Sequence, residues 1–135
     1  MNMRRIAIAL ATATALLAAP ALQARDRVSG EEKLARLLEG REAGEPVSCL
    51  PYHAADDMKI IDKTAIVYGR GNTIWVNRPT NAHDLDDDDI MVRESHTAQV
   101  CRLDMVRMHD RTGHFYTGFV GLNDFVPYRK IARAD

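Results

Sequence analysis

An acidic run offers the densest set of possible metal ligands in the sequence. Five of the six residues from Asp84 to Asp89 are aspartates. Because Ca²⁺ prefers carboxylate oxygens, Asp84, Asp86 and Asp88 are candidate ligands. An EF-hand also needs a glycine at its sharp turn and a terminal glutamate, and that pattern does not occur here. We favour the alternative, a solvated acidic turn before a strand that begins at Ile90.

Two histidines could begin a second metal site. His109 and His114 bracket the turn from Asp110 to Gly113, so a hairpin at this turn would bring them face to face. A zinc or copper site needs further ligands, which the sequence does not place beside them. We therefore favour surface histidines in a turn, and the sequence predicts no cofactor.

The nucleophiles of the sequence lack the partners that catalysis requires. Ser29 has the position of a helix cap, and Ser95 is directly followed by His96. Neighbouring residues of a regular strand point to opposite faces, so this pair does not form a dyad there. Serine-hydrolase, zinc-protease and phosphate-loop motifs do not occur. The sequence favours a non-enzymatic protein, although it leaves open a hydrolase whose groups meet only in space.

One aromatic pair is a candidate for the wall of a ligand groove. Tyr68 and Trp75 fall on the same face of a predicted hairpin, and Thr73 shares that face, so it is not wholly apolar. The simpler alternative is that both aromatic side chains pack in the core.

The first two dozen residues have the pattern of a cleavable secretory signal peptide. Arg4 and Arg5 precede an uncharged, mainly apolar stretch over residues 6–19, which is too short to span a bilayer comfortably. Small residues at its end favour cleavage after Ala24, with Ala21 as the alternative. We expect a periplasmic or secreted protein comprising residues 25–135, with no membrane span after cleavage.

Export gives the two cysteines a role. Cys49 and Cys101 are the only cysteines, and an even pair in an exported protein is usually oxidised. We expect a disulfide between them, which the chain-entropy model values at about 4 kcal/mol. The alternative is a metal site that uses Cys49 and His53, four residues apart.

Size and charge limit the partners. Residues 25–135 suffice for one small domain. Loss of the two leader arginines changes the formal charge from −1 to −3. Such a chain has no bulk attraction to nucleic acid or to an anionic membrane. An envelope protein or a small ligand is the expected partner.

The elements that must position these groups begin with one short helix. Ser29 and Glu32 have the spacing of a capping box, and Gly40 is a helix-ending residue, so we predict one short helix over residues 25–40. A linker follows over residues 41–46. The apolar face of the helix comprises Leu34, Leu37 and Leu38.

A hairpin is the clearest strand pair. Residues 64–68 and 73–77 are rich in β-branched and aromatic side chains and flank the glycine-containing turn 69–72. Both faces of this hairpin are largely apolar, so we expect cover on each side, with the helix covering one. The alternation places Ala65, Val67, Ile74 and Val76 on one face, and Ile66, Tyr68, Thr73 and Trp75 on the other.

Further short strands complete an α+β fold that is mainly antiparallel. We predict one helix on a small sheet of about five to six strands, which occupies residues 48–129 and is linked by one disulfide. Pro127 argues for a sheet edge or a strand end. The further strands are predicted at Ile90 to Arg93, Thr97 to Cys101, Met105 to His109, Phe115 to Val120 and Phe125 to Tyr128.

Several short segments between residues 48 and 129 follow the pattern of a known group of proteins. They are Ser48-Cys49-Leu50-Pro51, Thr64-Ala65-Ile66-Val67-Tyr68, Val76-Asn77-Arg78-Pro79, Asp88-Asp89-Ile90, Cys101-Arg102-Leu103-Asp104 and Phe125-Val126-Pro127-Tyr128. With these segments the chain resembles small uncharacterised exported proteins of sphingomonad-type alphaproteobacteria that carry a domain of unknown function. The resemblance implies that Cys49 and Cys101 belong together and that the acidic run leads into a strand. It implies no activity, ligand or catalytic residue.

Two functions follow as expectations. The first is a non-enzymatic exported domain that binds another envelope protein or a small ligand through its sheet. The second is a metal-binding or metal-dependent protein that uses the Asp84 to Asp89 run or the pair His109 and His114.

Overall fold

The computed structural model describes residues 28–95 and 97–132, and the predicted signal peptide and His96 lie outside this part of the chain. The α+β, mainly antiparallel class is confirmed, but the eight strands within these described ranges form two sheets instead of one small sheet. No described helix is both long and apolar enough to cross a membrane. The elements are α1 (Gly30–Leu38), β1 (Arg41–Ala43), β2 (Met58–Ile61), β3 (Ala65–Tyr68), β4 (Thr73–Asn77), β5 (Asp89–Arg93), β6 (Met105–Asp110), β7 (Tyr116–Gly121) and β8 (Phe125–Lys130).

The helix begins at its predicted cap. The Ser29 Oγ accepts a hydrogen bond from the Glu32 amide at 3.1 Å, which satisfies one of the free N–H groups of the first turn. The Glu32 carboxylate instead pairs with Arg36 one turn later, so only half of the capping box forms. Leu34 is buried at the centre of the face that α1 packs on the larger sheet.

The hairpin has both predicted faces, and each is covered. Strand β3 pairs with β4 so that Val67 lies opposite Val76 and Tyr68 lies opposite Trp75. One face joins the leucines of α1 in a first core cluster. The other face packs with buried residues of the smaller sheet in a second cluster, which includes Val106, Met108, Val120 and Phe125. The hairpin is therefore central because it is apolar on both sides.

The larger sheet has the strand order β1-β8-β4-β3-β2, and the smaller sheet has the order β5-β6-β7. Every pairing is antiparallel. Part of the predicted linker is a strand, since Arg41–Ala43 pairs with the end of β8. The four residues of β2, which the sequence analysis did not predict, form the opposite edge.

The predicted strand at Thr97 to Cys101 is wrong. This segment forms bends, and only Cys101 makes an isolated bridge, to Cys49. Local bonds replace a ladder: the Ser95 hydroxyl accepts from the Thr97 amide at 3.1 Å, and the Arg93 guanidinium donates to the Gln99 carbonyl at 2.9 Å. Side chains that satisfy nearby backbone groups compete with strand pairing.

The prediction that Pro127 lies at an edge or a strand end is also wrong. Pro127 lies inside β8, which has β4 on one side and β1 on the other. The proline is tolerated because β1 pairs only with residues 128–130, and beyond that point the Pro127 carbonyl accepts from the Gly44 amide at 2.7 Å. A carbonyl acceptor does not need the N–H that proline lacks.

A buried amide ties the end of β4 to the turn before β8. Asn77 is fully buried, and its Nδ2 donates to the Asn123 carbonyl at 2.6 Å while its Oδ1 accepts from the Asn123 amide at 3.3 Å. Both ends of the side-chain amide therefore have partners, which is the condition for burying such a group without a large penalty.

A salt bridge joins the start of α1 to the residue after β4. The Arg78 guanidinium donates to both carboxylate oxygens of Glu31 at 2.6 and 2.9 Å, and this hydrogen bonding holds the pKa of Glu31 below its usual value. We expect Glu31→Gln to lower the free energy of unfolding at pH 7 by about 0.5 kcal/mol, since the pair is exposed. A carboxyl whose pKa is lowered by folding contributes its full stabilisation above its unfolded-state pKa, so the difference should be lost as the pH falls through the lowered folded-state pKa of Glu31.

Urea unfolding at pH 7 and at low pH measures this effect. The exposed residue Glu45, substituted to glutamine, is the matched control and should change stability at neither pH. An equal loss for Glu31→Gln at both pH values would contradict a contribution from the ionised carboxylate.

Candidate functional site

The acidic run does not form one ligand set. Asp84 accepts from the Asn81 Nδ2 at 2.8 Å, and Asp86 accepts from the Asp88 amide at 2.9 Å. The last residue, Asp89, is buried in β5 and accepts from the Thr117 hydroxyl at 2.5 Å. The aspartates before Asp89 are exposed in an acidic turn, which agrees with the interpretation that the sequence favoured. Asp89 differs from that interpretation, because its carboxylate is buried.

Three carboxylates do approach one another beside this turn. Oxygen atoms of Asp62, Asp86 and Asp87 lie within 4.8 Å of one another. Of the predicted ligands, only Asp86 belongs to this group, whereas Asp84 and Asp88 lie outside it. Asp87 also lies 3.8 Å from the Lys33 ammonium, which offsets part of the negative charge. Exposed carboxylates of this kind are common without a bound ion.

The two predicted histidines meet through a backbone group. The His109 Nδ1 lies 3.3 Å from the His114 carbonyl, and His114 has a left-handed backbone with φ of 54°. Neither ring belongs to a group of three possible ligands among the described residues. Instead, the His109 ring packs edge-on against Tyr116, with the ring centroids 5.9 Å apart.

The predicted disulfide is confirmed. Cys49 and Cys101 are bonded, which consumes both thiols of the chain. Backbone bonds flank it on both sides: the Leu50 amide donates to the Val100 carbonyl at 2.8 Å, and the Arg102 amide donates to the Ser48 carbonyl at 2.6 Å. The disulfide therefore fixes the segment before β2 to the loop before β6.

The two predicted groove residues have different environments. Tyr68 is only 3% exposed, packs edge-on against Phe125 at 5.7 Å, and has a pKa raised by burial. Trp75 is half-buried and forms part of the wall of an open depression on the surface. The structure thus places Tyr68 in the core and Trp75 at the surface.

The smaller sheet exposes an aromatic face that the sequence analysis did not assign. On its inner side Val106, Met108 and Val120 are buried against the larger sheet. On its outer side large apolar residues stay exposed, including Phe119 at 49% and Tyr116 at 55%. We call this the outer face, and its members are Ile90, Val92, Met105, Arg107, His109, Tyr116 and Phe119.

Strand register shows that these residues share one face. Arg107 lies between Val92 and Phe119, and His109 lies between Ile90 and Tyr116. Directly opposite residues of antiparallel strands project to the same side, so the two rows form one surface.

A β-bulge makes this surface possible. Tyr116 and Phe119 are three residues apart, and a regular strand would send them to opposite faces. The register of β6 and β7 shifts between Met108 and His109, so one residue of β7 is inserted between the two aromatic residues. The bulge therefore returns both rings to the outer face. Sequence alternation alone does not reveal such an insertion.

Arg107 is the charged centre of the outer face. Its guanidinium lies 2.7 Å from the Glu94 carboxylate, and both side chains are more than half exposed. Its neighbours across the two flanking strands are apolar. An arginine among aromatic and aliphatic side chains is the composition found at the centres of protein interfaces.

Comparison with known proteins gives no match to a family model, to a curated protein or to a solved structure.

Proposed function

We propose that this chain is an exported, non-enzymatic binding domain, which docks a partner protein of the cell envelope on the outer face of its three-stranded sheet. The observation that carries the proposal is the exposure of Tyr116, Phe119, Val92 and Met105 together on one sheet. Scattered apolar residues are normal on a surface, whereas a contiguous group of large ones is typical of an interaction site.

The charge on the outer face defines the chemistry of the partner. Arg107 lies between Val92 and Phe119, and the Glu94 carboxylate lies 2.7 Å from its Nη1. The apolar centre of a partner surface would pack on the aromatic rings, and a carboxylate on that surface would accept hydrogen bonds from the guanidinium N–H groups of Arg107. This complementarity favours an acidic and apolar protein segment over a cationic or purely polar ligand.

The nucleophiles support a binding role over catalysis. Both cysteines are in the disulfide, the Ser29 hydroxyl caps α1, and the Ser95 hydroxyl lies 3.2 Å from that of Thr97. A serine or cysteine nucleophile needs an adjacent base, and none of these groups is bonded to one within the described residues.

A photo-crosslinking amino acid at position 119 tests the proposed interface in the exporting cell. We expect one discrete crosslinked species, and we expect Arg107→Glu, which reverses the central charge, to reduce its yield about tenfold. Position 52 is the matched control, because Tyr52 is 69% exposed on a different surface.

Three results would contradict the proposal. The first is no crosslinked species, the second is an equal yield from position 52, and the third is a species with twice the mass of the chain. The last result would replace a partner protein by a second copy. Intact mass of the exported protein tests the compartment separately, and a mass that includes residues 1–24 would refute cleavage.

A metal-binding role is the alternative, and its support is the group Asp62, Asp86 and Asp87. Under this alternative, Ca²⁺ would raise the melting temperature of the purified protein, and Asp86→Asn would abolish the rise. Under the binding function, Ca²⁺ should shift neither protein. Elemental analysis of the natively purified protein gives a second, independent readout.

A further inference from the structure

A second surface feature lies away from the outer face, beside the disulfide-linked segment. An open depression of about 480 Å³ lies between the turn of the β3–β4 hairpin and residues 51–57. Its volume is within the range of about 300–1,000 Å³ that is usual for small-molecule sites. Two aromatic residues, Trp75 and Tyr52, contribute to its lining.

The hairpin positions the indole of Trp75. Gly69, with φ of +79°, turns the chain directly after β3, and a Cβ at this position would lie 3.0 Å from the Trp75 ring. The close approach of the backbone fixes one side of the indole. Trp75 also packs against the core cluster between the two sheets, and the part of the residue that stays accessible contributes to the lining of the depression.

The segment after the disulfide supplies the opposite wall. Ala54 is buried in the core, which anchors this segment, while Tyr52 stays 69% exposed and His53 adopts a left-handed backbone with φ of 73°. The anchor and the disulfide together hold the wall against the hairpin. The site is thus built from two segments whose relative position the fold fixes.

The polar groups of the depression occur as pairs. The Asp57 carboxylate lies 3.0 Å from the Arg70 guanidinium, and the Asp56 carboxylate lies 3.6 Å from His53 Nδ1. Each pair presents both hydrogen-bond donors and acceptors, and the opposite charges of Arg70 and Asp57 offset each other. The carboxylates of Asp56 and Asp57 would repel an anion, and the guanidinium of Arg70 would repel a cation.

We propose that this depression binds a neutral saccharide. The C–H face of a sugar ring can pack on the electron-rich faces of Trp75 and Tyr52, as the ring quadrupole favours. Vicinal hydroxyls, which both donate and accept, match the paired groups of Asp57 with Arg70 and of Asp56 with His53. The depression is separate from the outer face, and saccharide binding there would be a function in addition to partner docking.

Trp75 is the only tryptophan of the chain, so intrinsic fluorescence reports on this depression directly. We expect titration with cellotriose, maltotriose or chitotriose to change the emission in a saturable way for at least one of the three. Tyr52→Ala should raise the half-saturating concentration about fivefold, because one stacking face is lost. Tyr116→Ala, which removes an exposed tyrosine side chain from the outer face, is the matched control and should leave the half-saturating concentration unchanged.

A cationic ligand is separated by two further measurements. Choline chloride should not change the emission, and Asp56→Asn, which keeps the planar polar group without its charge, should weaken saccharide binding less than twofold. A saturable change with choline that Asp56→Asn abolishes would replace the saccharide by a quaternary ammonium ligand. No saturable change with any of the three trisaccharides, or equal binding by Tyr52→Ala with an unaltered melting temperature, would overturn the proposal.

Discussion

A double variant with Cys49→Ala and Cys101→Ala is expected to be about 4 kcal/mol less stable than the oxidised protein. The disulfide joins residues 52 positions apart, and such a cross-link restricts the unfolded chain by an amount that grows with the logarithm of the loop length. Total stabilities of domains are about 5–15 kcal/mol, so this loss is a large share. Urea unfolding of the two proteins measures it.

Reducing agent provides the control for the disulfide prediction. It should lower the stability of the wild-type protein to that of the double variant, and it should leave the variant itself unchanged. If oxidised protein and double variant unfold at the same urea concentration with the same slope, the disulfide does not stabilise this fold. The flanking backbone bonds of Leu50 and Arg102 would then suffice to hold the two segments together.

Phe125→Ala is the second large effect, with an expected loss of about 4 kcal/mol. Phe125 is fully buried, and its ring packs against Tyr68 in the cluster between the two sheets. Truncation removes apolar contacts and leaves a cavity that the strands on either side can only partly close. Denaturant unfolding monitored by Trp75 fluorescence gives the difference.

Phe119→Ala is the matched control, since it removes the same side chain from the outer face. Phe119 is 49% exposed, so we expect a loss of less than about 1 kcal/mol. Should Phe125→Ala fail to fold, Phe125→Leu keeps most of the volume and should cost about 1 kcal/mol. Equal losses at positions 119 and 125 would mean that the outer face is covered in the folded protein, which contradicts the proposed interface.

Local chemistry made the helix, the hairpin and the disulfide predictable. The Ser29 cap acts within one turn, and the two-residue alternation of the hairpin assigns each side chain to a face without knowledge of the rest of the chain. The disulfide was predicted from the composition together with the expected export, because the chain contains a single pair of cysteines. In each case one interaction or one periodicity was sufficient.

Competition between interactions made other features unpredictable. The segment 97–101 has the composition of a strand. However, the Arg93 guanidinium donates hydrogen bonds to the carbonyls of Thr97 and Gln99, and this segment pairs with no neighbouring strand among the described residues. Proline is usually confined to sheet edges, yet Pro127 occupies the interior strand β8. It is tolerated there because the pairing of β1 with β8 reaches only as far as Tyr128. Whether a backbone N–H or C=O group already has a hydrogen-bond partner depends on segments that are distant in sequence, so the local sequence does not predict it.

The acidic run and the histidine pair show the same limit for candidate sites. Residue types suggested ligands at Asp84, Asp86, Asp88, His109 and His114. The folded chain brings Asp86 to Asp62 and Asp87, and it turns the ring of His109 toward Tyr116. Distances between ligands are set by the fold, whereas the sequence shows only their order.

The sequence by itself determined the residue types of both surfaces, the disulfide and the two apolar faces of the hairpin, since these depend on local periodicity and composition. Only the tertiary structure decided that Trp75 lines a surface depression while Tyr68 is buried, and that Tyr116 and Phe119 share one face. The physical reason is that exposure depends on what packs above each side chain, and a one-residue bulge changes the face of every residue beyond it.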